Sequence, residues 1–454
     1  MEIKKNDIIT LKIQDLSHDG KGIGRYDDLV VFVPGALPDE TVEVKVTNCK
    51  KKFAEAELTK VIDNVFYRTE PACPHYAPCG GCDFMHVKYD KSIELKRKML
   101  HNNLTKIGKL DFPIQLIETI PAQNQLYYRN KVLQPVGKNN KNELVCGFYR
   151  EGTHAITEIP ECKIEDIRAK ELINYLIDEI KKAGIAPYDE DTHTGYLRAI
   201  GYRMERRTKH IMLVFVTTAN DPTLLEPIIQ RADFRFANIK SVYLNINPAQ
   251  TNRILGDTNV LLSGAEYLDM YLGKAMYKVA PQTFFQVNSE QAEKLFQKII
   301  ELLPFERWGI VWDLYAGVGA ISFYIASEFK RIYLVEQEPE SVRMAQLNKQ
   351  KNLADNVTIH EGDLENFDLG QLEKPDVVII DPPRKGASDS VVKTLLTVKP
   401  KKIIMISCNT ATLARDIQRL SETYTVKHIT LVDMFPQTHH IETVTLLERI
   451  DRDE

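Results

Sequence analysis

A cysteine and an aspartate stand just past two apolar runs in the last quarter of the chain. Val377-Val378-Ile379-Ile380 leads into Asp381-Pro382-Pro383-Arg384-Lys385-Gly386, and Ile403-Ile404-Met405-Ile406 leads into Ser407-Cys408-Asn409. Runs of this length and composition read as buried strands, and an open α/β sheet binds its ligands just beyond the carboxyl ends of its strands. A thiolate placed there is a nucleophile. A lone cysteine more often packs as a small hydrophobe, but the aspartate, prolines and arginine one strand away favour chemistry at Cys408.

A second set of thiols has the spacing of metal ligands. Cys73, Cys79 and Cys82 fall within Cys73-Pro74-His75-Tyr76-Ala77-Pro78-Cys79-Gly80-Gly81-Cys82, and Cys162 follows in Ile159-Pro160-Glu161-Cys162. Small residues between Cys79 and Cys82 let both thiolates face one centre, and the prolines and glycines let backbone amides approach the sulfurs. Four thiolates suit tetrahedral zinc or an iron–sulfur cluster, and spacing alone does not separate the two. The spacing differs from that of radical enzymes, which also leave one iron free of protein ligands, so a structural or RNA-contacting role is favoured over redox turnover. Cys49 and Cys146 lack such company and read as ordinary thiols.

The elements that must position these groups follow from periodicity. From about residue 290 strand and helix alternate, the mark of a doubly wound parallel sheet. Ile310-Val311-Trp312-Asp313-Leu314-Tyr315 runs into Ala316-Gly317-Val318-Gly319-Ala320, where Gly317 and Gly319 permit close approach of backbone to a ligand. A dinucleotide site would want a third glycine where Ser322 stands. The next strand, Arg331-Ile332-Tyr333-Leu334-Val335, ends in Glu336, placed to accept from ribose hydroxyls, and Asp363 after a third strand can meet an adenine edge. These features favour S-adenosylmethionine over NAD.

Upstream, short runs Asp7–Ile13, Leu29–Val33, Thr41–Val46 and Phe53–Leu58 are separated by turn signals, which suggests a small barrel of the oligonucleotide-binding kind. This segment resembles the TRAM domain, an RNA-binding module, through Gly20-Lys21-Gly22-Ile23-Gly24 and Val33-Pro34-Gly35-Ala36-Leu37-Pro38-Asp39-Glu40. Lys51, in a run of three lysines at a strand start, is a candidate phosphate contact. Asp90 to Leu104 has helical periodicity, with Lys91, Lys96, Arg97 and Lys98 expected outward. Arg129 and Lys131, in Tyr127-Tyr128-Arg129-Asn130-Lys131, combine charge with aromatic surface suited to RNA.

A chain of 454 residues is long enough for about three domains. The expected boundaries are 1–60 for the barrel, 61–283 for a mixed α+β central domain with the cysteines, and 284–454 for a Rossmann-like methyltransferase domain; the fold class is multidomain α/β. A net charge of −4 confines any nucleic-acid surface to local patches. No run is apolar enough to span a bilayer and no amino-terminal signal pattern stands out, so the expected location is the cytoplasm, with no membrane partner. A monomer is expected. Seven cysteines in a reducing compartment argue for metal or catalytic roles over disulfides.

The methyl acceptor turns on Asp381 to Arg384. Enzymes that methylate exocyclic nitrogens place an aromatic after such a Pro-Pro pair, and here Arg384 stands there; RNA cytosine-5 enzymes place a cysteine in it, which is also absent. Carbon 5 of a pyrimidine becomes nucleophilic once a thiolate adds to carbon 6, so uracil is the expected base. With Gln282-Thr283-Phe284-Phe285-Gln286-Val287-Asn288 and Met434-Phe435-Pro436-Gln437-Thr438-His439-His440-Ile441-Glu442, the chain resembles, over nearly its whole length, the RNA uracil-5 methyltransferase family. Within that family it looks like the Gram-positive branch acting on 23S ribosomal RNA. The resemblance implies a [4Fe-4S] cluster on Cys73, Cys79, Cys82 and Cys162, and cofactor contacts from Gln286, Tyr315, Glu336 and Asp381. It also implies Cys408 as nucleophile, Glu442 as base, and a helix near 90–110 packed on the catalytic domain. Relatives often carry Phe-Cys in place of Tyr315-Ala316 and Asn in place of Ala320. The transfer-RNA enzymes of the family are expected to lack the TRAM and cysteine regions, which points this chain to 23S ribosomal RNA. The competing readings are a transfer-RNA uracil-5 methyltransferase, a small-molecule or protein methyltransferase with a zinc appendage, and a non-catalytic RNA-binding assembly factor.

Overall fold

A computed structural model describes residues 3–139, 141–150, 153–251, 253–304 and 309–451. Its first five strands, β1 (Ile8–Leu16), β2 (Gly22–Tyr26), β3 (Leu29–Val33), β4 (Thr41–Cys49) and β5 (Phe53–Asp63), close into a barrel in the order β1-β2-β3-β5-β4, with β4 pairing back to β1. Period-two alternation builds its core, with Leu11, Ile13, Val31, Val33, Val42, Val44, Val46 and Ala54 inward. The stretch after Gly20 reads as a turn in the sequence, yet Gly22 and Gly24 lie in β2. An added Cβ would come within 2.8 Å of the Ala36 carbonyl at Gly22 and 3.3 Å of Leu11 Cβ at Gly24, so close packing explains these glycines.

Next come α1 (Tyr89–Lys106) and β6 (Ile117–Ile120). A seven-stranded sheet then forms from β7 (Lys131–Lys138), β8 (Leu144–Tyr149), β9 (Ile156–Glu158), β10 (Leu197–Met204), β11 (Ile211–Thr217), β12 (Ile239–Ile246) and β13 (Thr258–Gly264), with α2 (Ile167–Ala183) and α3 (Glu226–Arg235) on one face. Strand β11 shows why both faces are apolar: Leu213 and Phe215 pack with the helices, while Met212, Val214 and Val216 join the core shared with the catalytic half. The hairpin β14 (Leu268–Leu272) and β15 (Ala275–Val279) and helix α4 (Ser289–Leu302) belong to that same shared core.

The catalytic sheet contains β16 (Ile310–Leu314), β17 (Arg331–Glu336), β18 (Val357–Glu361), β19 (Val377–Ile380), β20 (Lys402–Ser407), β21 (Tyr424–Val432) and β22 (Glu442–Arg449). Its helices are α5 (Ala320–Ile325), α6 (Pro339–Lys351), α7 (Asp389–Val398) and α8 (Thr410–Leu420). Strand order is β18-β17-β16-β19-β20-β22-β21-β6, parallel from β18 to β20, with β22 antiparallel to both neighbours. The outermost strand is the short β6, parallel to β21. Sequence reading misses it because Ile117-Glu118-Thr119-Ile120 is a half-exposed edge with little periodicity. Among the described residues no helix is long and apolar enough to cross a membrane.

Helix α1 lies against α8, with Leu100 and Leu104 in one core with Leu413 and Ile417. Lys96 is the exception to its expected outward lysines. It is 1% exposed, and its Nζ donates to Asp433 Oδ1 at 2.6 Å and to the Phe435 carbonyl at 3.1 Å. Tyr89 Oη donates to the other Asp433 oxygen at 2.8 Å. Lys96→Met strands a buried carboxylate and is expected to lower stability by about 3–5 kcal/mol. Lys96→Met with Asp433→Leu should recover part of that loss in urea denaturation, and a double variant no better than the single one contradicts the assignment.

Candidate active site

The loop after β16 is held in unusual backbone. Tyr315, Gly317 and Gly319 all have positive φ, at 62°, 56° and 78°, and Gly319 opens α5. The Glu336 carboxylate ends β17 and ties this loop down: one oxygen accepts from the Gly317 amide at 2.8 Å, the other from the Gln337 and Glu338 amides at 2.9 and 2.8 Å. After β18, Asp363 accepts from the Glu365 amide at 3.0 Å and from Asn366 Nδ2 at 3.1 Å. Tyr315 Oη accepts from the Ser388 amide at 3.1 Å, fixing the loop after β16 to the start of α7.

Cys408 sits where β20 passes into α8. Ser407 Oγ accepts from the Asn409 amide at 3.2 Å, and Asn409 caps α8 while its Nδ2 reaches the Arg384 carbonyl at 3.0 Å. The cysteine is therefore pinned on both sides and fixed relative to Asp381–Arg384. Across the sheet Ser407 pairs with Thr443, whose Oγ1 also donates to the Ser407 carbonyl at 3.1 Å. Continuing that antiparallel register by one residue sets Cys408 opposite Glu442.

Gln286, Tyr315, Gly317, Glu336, Asp363, Asp381, Cys408 and Glu442 all line one cavity of about 690 Å³. Four further residues that sequence reasoning did not assign to it, Phe284, Arg384, Phe435 and His440, line it too. Arg384 is the informative one, since its place after Pro383 argues against an exocyclic-nitrogen acceptor but assigns its guanidinium no partner. Burial pushes Asp381 up to about 7 and Glu442 well above the usual carboxylate range, with the Asp381 charge adding to the latter and Arg384 opposing it. Burial, then the charges of Glu442 and Asp381, raise Cys408 to about 11, again opposed by Arg384. Beneath the floor, burial raises Asp313 to about 7 despite a 2.6 Å hydrogen bond from Ser322. A cavity this rich in buried acid favours a cation. The sulfonium and ammonium of S-adenosylmethionine match it, and its diol and adenine match the acceptors at the strand ends.

The four cysteines line a separate cavity of about 190 Å³, with Arg129 and Glu165. Burial raises Cys82, and the charges of Cys162, Cys79 and Cys73 raise it further. Burial also lifts Cys162 to about 12 against amide hydrogen bonds from Ile164 and Glu165. Among the described residues no three His, Cys, Asp or Glu side chains converge tightly enough to hold a single metal ion.

The three basic candidates are dispersed. Lys51 is exposed at the turn between β4 and β5. Arg129 borders the thiol cavity, its Nε donating to the Lys131 carbonyl at 3.0 Å. Lys131 is drawn down to about 7, first by burial, then by the charges of Arg203 and Arg129. Between them Asn130 donates to the Gln286 carbonyl at 3.1 Å, so this segment is fastened to the wall of the large cavity. Arg203 is buried and donates to the Thr283 carbonyl at 2.5 Å, a structural role.

Residues 242–450 match the family described as tRNA (Uracil-5-)-methyltransferase, and residues 4–59 match the TRAM domain. An uncharacterized RNA methyltransferase of Staphylococcus epidermidis is 38% identical over 98% of both chains, and one of Staphylococcus aureus is 37% identical over 98% of both. Among solved structures, the Pyrococcus abyssi tRNA (uracil-54, C5)-methyltransferase in complex with S-adenosyl-L-homocysteine superposes with a TM-score of 0.78 at 27% identity, covering 96% of this chain and 99% of that one. A transfer-RNA enzyme can thus match both the barrel and the cysteine-bearing region, which removes their value for separating ribosomal from transfer RNA. Fold, cofactor chemistry and relatives agree that this chain belongs to the S-adenosylmethionine-dependent RNA uracil-5 methyltransferase family and carries a TRAM domain.

Proposed function

We propose that this protein is a 23S ribosomal RNA (uracil-C5)-methyltransferase that forms 5-methyluridine through a covalent bond between Cys408 and carbon 6 of the base. The uracil-5 chemistry is carried by the β20–β22 register, which continued by one residue sets Cys408 opposite Glu442 at one cavity with Asp381, while the choice of 23S RNA rests on the resemblance of the whole chain to the Gram-positive branch. The target uridine leaves its stack, because both faces of its ring must be reached. Cys408 thiolate adds to carbon 6, and the carbon 5 made nucleophilic takes the methyl group that S-adenosylmethionine supplies. Glu442 then accepts the carbon 5 proton, the double bond re-forms, and the thiolate leaves. Gln286, Tyr315, Gly317, Glu336, Asp363 and Asp381 hold and orient the cofactor in this scheme. We further assign Cys73, Cys79, Cys82 and Cys162 to a [4Fe-4S] cluster with a structural or RNA-positioning role, and Lys51, Arg129 and Lys131 to RNA phosphate. Transfer RNA is the second reading, favoured by the near full-length match to the Pyrococcus abyssi enzyme.

Cys408→Ala should abolish methylation and any protein–RNA adduct stable to denaturing electrophoresis. Glu442→Gln should permit addition and methyl transfer but stall elimination, since an amide does not take the proton, so that variant accumulates an adduct with the base already methylated. An adduct formed by Cys408→Ala removes this cysteine as the nucleophile, and normal turnover by Glu442→Gln assigns the base to another group.

Anaerobically purified protein should contain about four irons with inorganic sulfide per chain; stoichiometric zinc without sulfide contradicts the cluster.

With a thiol raised to about 11, alkylation of Cys408 in the free protein should be slow at neutral pH and rise as pH approaches that value. Sinefungin, which places an ammonium where the sulfonium sits, stabilises the thiolate and should move the inflection to lower pH. An inflection that stays in place or rises shows that Cys408 does not sense the bound cation.

A further inference from the structure

The segment from Asp433 to Ile441 joins β21 to Glu442, and the cysteine loop grips it. Asp83, directly after Cys82, accepts from the His439 amide at 2.7 Å, and its other oxygen pairs with His439 Nδ1. The Asp83 and Phe84 amides both donate to the Gln437 carbonyl, at 3.2 and 3.0 Å, where Gln437 is held at a φ of 69°. From the far side of the thiol cavity Tyr128 Oη donates to the Pro436 carbonyl at 3.1 Å. Tyr128 itself packs in the small apolar cluster against which Cys73, Cys82 and Cys162 lie. Every one of these contacts falls on the six residues before Ile441, and none on Cys408 or the strand that carries it.

We propose that Asp83 is a positioning residue for release of the methylated base: it ties the loop organised by the four thiols to the approach of Glu442, and so sets the geometry of proton removal. The inference rests on the reading of Cys408 and Glu442 given above. In the affected step Glu442 carboxylate takes the proton from carbon 5. The C–H electron pair becomes the carbon 5–carbon 6 double bond, and the carbon 6–sulfur bond breaks with its pair returning to Cys408. Addition depends on β20 and its cap at Asn409, which Asp83 does not touch, so adduct formation and methyl transfer proceed while elimination slows. A shift of about 1 Å in a reacting group costs up to roughly a hundredfold in rate.

The test uses anaerobically purified full-length protein and ribosomal RNA carrying tritium on carbon 5 of uridine. Tritium release, the fraction of protein in a denaturation-stable adduct, iron content and S-adenosylmethionine affinity are read in parallel. Asp83→Ala is expected to slow tritium release about tenfold or more and to raise the adduct fraction, with cofactor affinity and iron content unchanged. Asp83→Asn keeps an oxygen for the His439 amide and should restore much of the rate. His439→Ala, which leaves that amide in place, should give a milder version of the same pattern. A wild-type adduct fraction and release rate in Asp83→Ala overturns the proposal, as does a loss of iron, cofactor binding and release together, which marks a general structural role. Absence of tritium release from the wild-type protein itself overturns the underlying reading, and this inference with it.

Discussion

The segment Asp433–Ile441 is the constraint on which the arrangement depends, because the barrel, the cysteine loop, α1 and α4 all meet at it. Lys96 and Tyr89 of α1 hold the Asp433 carboxylate, and Gln291 of α4 donates to the Asp433 carbonyl at 3.1 Å. Asn288 donates to the Met434 carbonyl at 3.1 Å, and the cysteine loop clamps Gln437 and His439. The barrel reaches it too: Gly20 packs so closely that an added Cβ would lie 2.7 Å from His439 Cβ and 3.1 Å from the Phe84 ring. A buried ion pair is a weak source of net stability but a strong source of specificity, since losing either partner leaves an unpaired charge out of water. At Asp433 that specificity is spent on one loop, the one that delivers Glu442 to the cavity.

The cavity shows why this precision matters. Glu442, Asp381 and Cys408 would each carry negative charge in the reacting state, and burial holds all three toward their protonated forms, with charge repulsion adding to it at Cys408 and Glu442. Arg384 is the cation of the cavity wall that opposes this at Cys408 and Glu442, and the methyl donor brings a further positive charge. In the proposed mechanism, cofactor binding and activation of Cys408 are linked by charge, because an entering cation favours the thiolate. The same electrostatics argues against indiscriminate alkylation of a reactive cysteine in the resting enzyme.

What could be read from residues alone follows a physical division. Asp381, Cys408 and Glu336 were legible because each ends or follows an apolar run whose length and β-branched composition identify a strand, and strand ends are where such sheets bind ligands. The barrel was legible from alternation, except for β2, whose close-packed glycines look like a turn. Lys96 was misplaced outward because helical period says which face a residue takes and nothing of whether a distant acceptor waits there. Asp83 and His439 were both visible, one beside a cysteine and one inside a motif, but a pairing across more than three hundred residues leaves no local trace. Arg384 had a legible identity and an illegible function until the cavity placed it beside two acids and a thiol.

The central claim is that this protein installs 5-methyluridine in 23S ribosomal RNA, and mass mapping of that nucleoside in cells with and without the protein tests it most directly. The account predicts that deletion removes 5-methyluridine from one or more positions of 23S RNA and leaves transfer RNA unchanged. Full methylation of 23S RNA in the deletion strain, with loss confined to transfer RNA or seen nowhere, would contradict it.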